Sequence, residues 1–114
     1  MNFTDSLKHN YEFRRLYAKG ECARSPLMVI YCRRNRVQKN RLGITVSTKI
    51  GKAVIRNRVR RRLREIYRLN EEKLRPGYDI VLVARTRSRY AAYGALEREF
   101  IRLAEKLKIL SDAG

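Results

Sequence analysis

The chain has 114 residues, 28 Lys and Arg against 11 Asp and Glu, and a formal net charge of +17, a length that suits a single domain over residues 1–114. Hydrophobic residues make up 44%, enough for one core, which excludes wholesale disorder. No apolar run approaches the roughly 18 residues of a membrane span and no secretory-type stretch opens the chain, so the expected location is the cytoplasm.

Asn10 is placed to cap a first helix, with Glu12 in its opening turn and Gly20 as its stop. Phe13, Leu16 and Tyr17 recur at i, i+3 and i+4 and share a face. Such stripes are commonly core, and aromatic ones stack on bases where they meet solvent. His9, the one histidine, reads as a surface residue beside this helix. Glu21–Arg24 is a candidate edge strand. Cys22 and Cys32 lack CxxC spacing and read as reduced thiols, the second as a small apolar strand residue.

After Pro26 the apolar run Leu27–Cys32 predicts a buried strand, and the basic stretch Arg33–Arg41 a loop. Leu42–Ser47 alternates, with Leu42, Ile44 and Val46 on one side and Gly43, Thr45 and Ser47 on the other. Two successive strands joined by a loop predict an antiparallel pair, one face core and the other free for binding.

Lys52–Leu69 predicts a helix of unusual composition. Ile55, Val59, Leu63 and Ile66 fall within about 80° of one another, with Tyr67 at the edge. Asn57, Arg58, Arg60, Arg61, Arg64 and Arg68 fill most of the rest, interrupted by Glu65, while Arg56 and Arg62 flank the stripe. Pro76-Gly77 marks a turn, Tyr78–Ala84 an interior strand, and Arg85–Arg89 a basic loop. In the last helix Leu96, Phe100, Leu103 and Leu107 recur at helical spacing, with Arg102 in reach of Glu99 or Glu105. The expected class is α+β, in the order α-β-β-(β)-α-β-α: a two-layer sandwich of helices on a mixed four-stranded sheet.

The charge is concentrated. Residues 33–68 hold 14 Lys and Arg and a single Glu, and no acidic residue lies between Glu21 and Glu65. A solvated helix face ordinarily mixes its signs. Here Arg58 stands three and four from Arg61 and Arg62, and Arg64 four from Arg60 and Arg68, each pair costing a few tenths of a kcal/mol, roughly. Arginine grips two phosphate oxygens at once and stacks on bases, so the expected partner is nucleic acid. No apolar face rich in Trp or Phe accompanies the charge, which speaks against a membrane surface. Helix-turn-helix, zinc-finger and RNP-type signatures are absent from the sequence.

The run Lys52-Ala53-Val54-Ile55-Arg56-Asn57-Arg58-Val59-Arg60-Arg61-Arg62-Leu63-Arg64-Glu65 resembles the signature of the bacterial ribonuclease P protein family, with Arg56-Asn57-Arg58 as its RNR core. Phe13, Tyr17 and Gly20, the strand Leu42–Ser47, and Pro76–Val81 extend the resemblance over nearly the whole chain. Thr48 departs from it, standing where a second basic residue is common. The resemblance implies a protein that binds one catalytic RNA and helps it remove the 5′ leader from precursor tRNA. It implies that Lys52, Arg56, Asn57, Arg58, Arg60, Arg61, Arg64 and Arg68 face that RNA, and that Phe13, Tyr17, Tyr31, Ser47 and Lys49 line a leader cleft. It further implies Mg²⁺ held mainly by the RNA and none by the protein alone, one monomeric protein per RNA, and no protein catalytic residue. Strand–helix–strand crossovers are right-handed in about 98% of cases; the resemblance implies the rare left hand here. A ribosomal or ribosome-associated RNA-binding protein shares this size and charge and is the alternative. An independent endonuclease is a second rival, but no nucleophile–base set or acidic pair stands out.

Overall fold

The computed structural model describes residues 3–111. In chain order it contains β1 (Thr4–Ser6), α1 (Asn10–Lys19), β2 (Glu21–Arg24), β3 (Met28–Arg34), β4 (Asn40–Thr45), α2 (Ala53–Asn70), β5 (Tyr78–Ala84) and α3 (Tyr93–Lys106). The strands form one sheet in the order β1-β4-β5-β3-β2. β4 pairs in parallel with both β1 and β5, while β3 pairs antiparallel with β5 and β2, so the sheet is mixed, as expected.

It has five strands, not four. The extra one, β1, is the tripeptide Thr-Asp-Ser, too short and polar to carry an apolar period. It is held by pairing along Asn40–Leu42 and by the Thr4 hydroxyl, 3.0 Å from that of Tyr67 on α2. A second correction concerns β3 and β4, which do not pair: β5 lies between them. Its residues Ile80, Val81 and Leu82 are fully buried on both faces of the sheet, and such a strand belongs at the centre. The chain reaches it from β4 through α2, which makes β4-α2-β5 a parallel crossover.

One face of the sheet carries Met28, Ile30, Cys32, Leu42, Ile80 and Leu82 and is covered by Val59, Leu63, Ile66 and Tyr67 of α2 and Leu96, Phe100 and Leu103 of α3. The other face holds a smaller cluster in which Leu16 of α1 meets Leu7 and Val81, flanked by Phe13, Tyr31 and Val83. Helices thus cover both faces, and the expected two layers become three. Cys32 is core as expected; burial pushes its thiol up to about 12, so it stays protonated, while Cys22 is exposed.

The start of α1 also differs from expectation. Asn10 is the first helical residue, and His9, stacked at 5.3 Å on Tyr11, is the cap position. Glu12 closes the helix end by reaching back: its Oε1 accepts the backbone N–H groups of His9 at 3.1 Å and Lys8 at 3.3 Å. Its Oε2 accepts from Arg41 Nη1 at 2.7 Å, and the same guanidinium grips Asp79 through Nε and Nη2, both at 2.7 Å. This clasp joins α1 to β4 and β5. Burial pushes the Glu12 carboxyl up, but the two backbone N–H groups and the Arg41 charge outweigh it and hold the group below the usual carboxylate range.

A carboxyl held low stabilises the fold above its unfolded-state pKa, and that share is lost as pH falls through the folded value. Glu12→Gln is therefore expected to lower stability at pH 7 by about 1.5–3 kcal/mol. It should also make urea midpoints less sensitive to acidification below about pH 5 than those of the parent chain. Parallel pH profiles for the two proteins would show that the clasp contributes nothing.

Candidate nucleic-acid interface

The buried stripe of α2, Val59, Leu63, Ile66 and Tyr67, fixes how the rest of the helix faces solvent. Arg61 and Arg64 stand opposite it, exposed and without a hydrogen-bond or ion-pair partner among the described residues. Asn57 and Arg58 are exposed beside them, and Lys52 precedes the first helical residue. Arg58 Nη2 donates to the Arg89 carbonyl at 3.2 Å, and Arg56 Nε to the Gly51 carbonyl at 3.2 Å. Each such bond uses one of five N–H groups and aims the guanidinium without neutralising it. Arg62 Nη1 donates likewise to the Ala91 carbonyl at 2.9 Å.

Arg68 is different. It forks onto Glu65 at 2.6 and 3.1 Å, so its charge is matched within the helix. The pair is solvent-exposed, and pairs of that kind are worth under about 1 kcal/mol. A phosphate can compete for it.

The second predicted set divides. A groove of about 520 Å³ runs between α1, β4 and α2, lined by Asn10, Phe13, Arg14 and Tyr17 on one side and by Thr45, Val46 and Arg60 on the other. Gly43 makes room for Phe13: a Cβ there would lie 2.4 Å from the Phe13 ring. Tyr17, 40% exposed, places its hydroxyl 2.8 Å from Thr45 Oγ1 and meets Tyr31 edge-on at 5.0 Å. Tyr31 therefore stands behind Tyr17, as support. Ser47 and Lys49 are exposed on the segment after β4, beyond the groove's own lining.

Arg60, expected among the residues facing the RNA subunit, lines this groove and joins the two surfaces. Sequence reasoning missed Asn10, Arg14 and Thr45, although Asn10 and Arg14 extend the aromatic stripe at helical spacing. It also left Arg89 in the unassigned basic loop Arg85–Arg89 and gave Tyr90 no role. Arg89 lies 4.8 Å over the Tyr90 ring, donates to the Ile50 carbonyl at 2.9 Å, and widens the cationic surface at the start of α2. Among the described residues, no three His, Cys, Asp or Glu side chains gather in a group that could hold a metal ion.

Residues 1–108 match the family model described as Ribonuclease P. The ribonuclease P protein component of Alkaliphilus metalliredigens is 40% identical over 111 residues, covering 97% of this chain and 100% of that protein. That of Natranaerobius thermophilus is 44% identical over 105 residues, covering 92% and 91%. The structure of the Staphylococcus aureus ribonuclease P protein superposes with a TM-score of 0.85 at 28% identity, covering 93% of this chain and 97% of that one. The matches decide against the ribosomal alternative that size and charge left open.

Gly43→Ala is expected to force Phe13 out of its seat and to cost about 1–3 kcal/mol, as overpacking does. Denaturant unfolding reads the cost. An unchanged midpoint would mean that the ring has room to yield.

Proposed function

The chain belongs to the ribonuclease P protein family, and from that premise we propose that its two surfaces divide one task between a catalytic RNA and that RNA's substrate. As a member it is the protein component of an endoribonuclease holoenzyme, partnered with the ribonuclease P RNA and engaged in tRNA processing. The arginine face of α2 is assigned to the RNA subunit, with Lys52, Arg56, Asn57, Arg58, Arg61 and Arg64 as its contacts and Arg68 recruited from Glu65. The observation that carries this is the pair Arg61 and Arg64: like charges without partners among the described residues, on a face the fold presents to solvent. Phosphates supply the missing countercharge, and displaced counterions supply the driving force.

The groove is assigned to the 5′ leader of precursor tRNA. Tyr17 offers a ring on which an unpaired base stacks, Phe13 an apolar wall, and Tyr31 a buttress. Arg14 and Arg60 reach phosphates from opposite walls, and Ser47 and Lys49 meet the strand where it leaves. Phosphodiester cleavage is left to the RNA subunit and the Mg²⁺ it binds. The protein acts as a monomer, one per RNA, in the cytoplasm. No helix among the described residues is long and apolar enough to cross a membrane.

Arg61→Ala and Arg64→Ala are expected to weaken binding to the RNA subunit without loss of stability. With about six to ten phosphate contacts, parent affinity should fall by roughly 10³–10⁵ between about 50 and 200 mM salt. A flat salt profile would refute the assignment. The protein with Mg²⁺ alone should leave precursor tRNA intact, and cleavage should begin when the RNA subunit is added; cleavage by the protein alone would restore the independent-endonuclease reading. Tyr17→Ala should spare RNA-subunit binding and reduce the preference for precursor over mature tRNA by about 1–3 kcal/mol. Unfolding of that variant would make Tyr17 a core residue instead.

A further inference from the structure

Three arginines that neither surface uses gather at another corner of the molecule. Arg24 ends β2, and Arg85 and Arg87 follow β5. With Ser25, Pro26 and Thr86 they line a cleft of about 560 Å³. Arg85 is anchored, its Nη1 donating to the Ser25 carbonyl at 3.3 Å and its backbone N–H to the Leu27 carbonyl at 3.0 Å. Arg24 and Arg87 are exposed and have no hydrogen-bond or ion-pair partner among the described residues. Glu99, which faces Ser25 from α3, is held by Arg102 at 2.7 Å and so does not offset them. Three guanidinium groups round one cleft repel each other until an anion enters it.

The cleft's place in the sheet points to its ligand. Arg24 pairs with Val29, Val29 with Val83, and Val83 with Thr45. Directly paired residues share a face, so these four make one row across the sheet. The row lies on the side covered by α1, since Val29 and Tyr31 are two apart on β3. Thr45 is the residue that meets the Tyr17 hydroxyl in the groove. From there the row crosses three strand spacings, ~14 Å, to Arg24. It is apolar in the middle and cationic at the far end.

We propose that the cleft is a distal phosphate subsite for leader nucleotides that pass Tyr17 and Thr45 and cross the ends of the strands. The proposal rests on the assignment of the groove to the leader. Arg24 and Arg87 grip backbone phosphate, with Arg85 fixed between them. Because phosphate contacts carry no sequence information, the subsite reads leader length and not leader sequence.

The test uses holoenzyme reconstituted with the RNA subunit and two precursor tRNAs, one whose leader ends within the groove and one whose leader is several nucleotides longer. The double variant Arg24→Ala, Arg87→Ala is expected to bind the longer precursor about tenfold more weakly than the parent, with the salt slope reduced by about two. Binding of the shorter precursor, of mature tRNA and of the RNA subunit should not change. Scrambling the added nucleotides should make no difference, and the Arg24→Lys, Arg87→Lys variant should retain most of the affinity. Equal affinity of the alanine variant and the parent for the longer precursor overturns the proposal. So does an equal loss with the shorter one, and so does weaker assembly with the RNA subunit, which would give these arginines to the catalytic RNA. Tyr17→Ala run in parallel keeps the two readings apart. If it weakens precursor binding while the arginine variant does not, the distal subsite alone fails; if it changes nothing, the groove assignment fails and the distal subsite with it.

Discussion

Burial of one helical stripe permits everything else α2 does. Val59, Leu63, Ile66 and Tyr67 are essentially inaccessible, and fully buried side chains of this size contribute about 1.5–3 kcal/mol each. The like-charge pairs along the opposite face cost a few tenths of a kcal/mol apiece, roughly. The first effect exceeds the second several-fold, so the helix holds an arginine array that its own electrostatics disfavour. Because the dry side is pinned to β4, β5 and α3, the array points one way. A free basic peptide would present the same residues in every direction.

The groove depends on a different constraint. α1 covers its face of the sheet with few fully buried side chains, Leu16 chief among them, so apolar contact alone ties it down weakly. The three-way clasp of Glu12, Arg41 and Asp79 adds direction. It anchors the first turn of α1 to two adjacent strands, and Phe13 drops onto the gap left by Gly43 in the same turn. Phe13 and Tyr17 then sit on a wall opposite Arg60 that partly buried ionic contacts hold in place. Arg60 also belongs to α2, and the two surfaces are therefore held in one fixed relation.

Much of this was legible from residue order, and the failures have physical causes. The arginine helix, the central strand and the last helix announce themselves through periods of apolar residues long enough to be unambiguous. β1 does not, because three polar residues carry no period. The expected pairing of β3 with β4 fails because a loop connection says nothing about a strand that arrives later in the chain; the unbroken apolar run Ile80–Val83 is the sequence feature that marks a central strand. Glu12 reads as an ordinary first-turn carboxylate until Arg41 and Asp79, distant in sequence, are brought to it. Phe13 and Tyr17 could be named from spacing, but spacing cannot say that Leu16 between them points inward while Tyr17 opens to solvent. Arg60, expected on the arginine face, stands at its margin and also lines the groove, a placement that some tens of degrees around the helix axis decide.

The central position of β5 also governs the order in which the molecule can assemble. Met28 pairs across the sheet with Ala84, and Leu42 with Ile80, so β3 and β4 each keep the edge that faces β5 open while α2 is already synthesised. On the ribosome the arginine helix thus emerges before the strand that completes its floor, and the sheet closes in one late step dominated by contacts distant along the chain. Chains with such non-local pairing fold slowly and expose unpaired edges meanwhile. A nascent polypeptide of this kind meets abundant RNA before it has a finished core, so discrimination among polyanions is acquired only once the last strand docks.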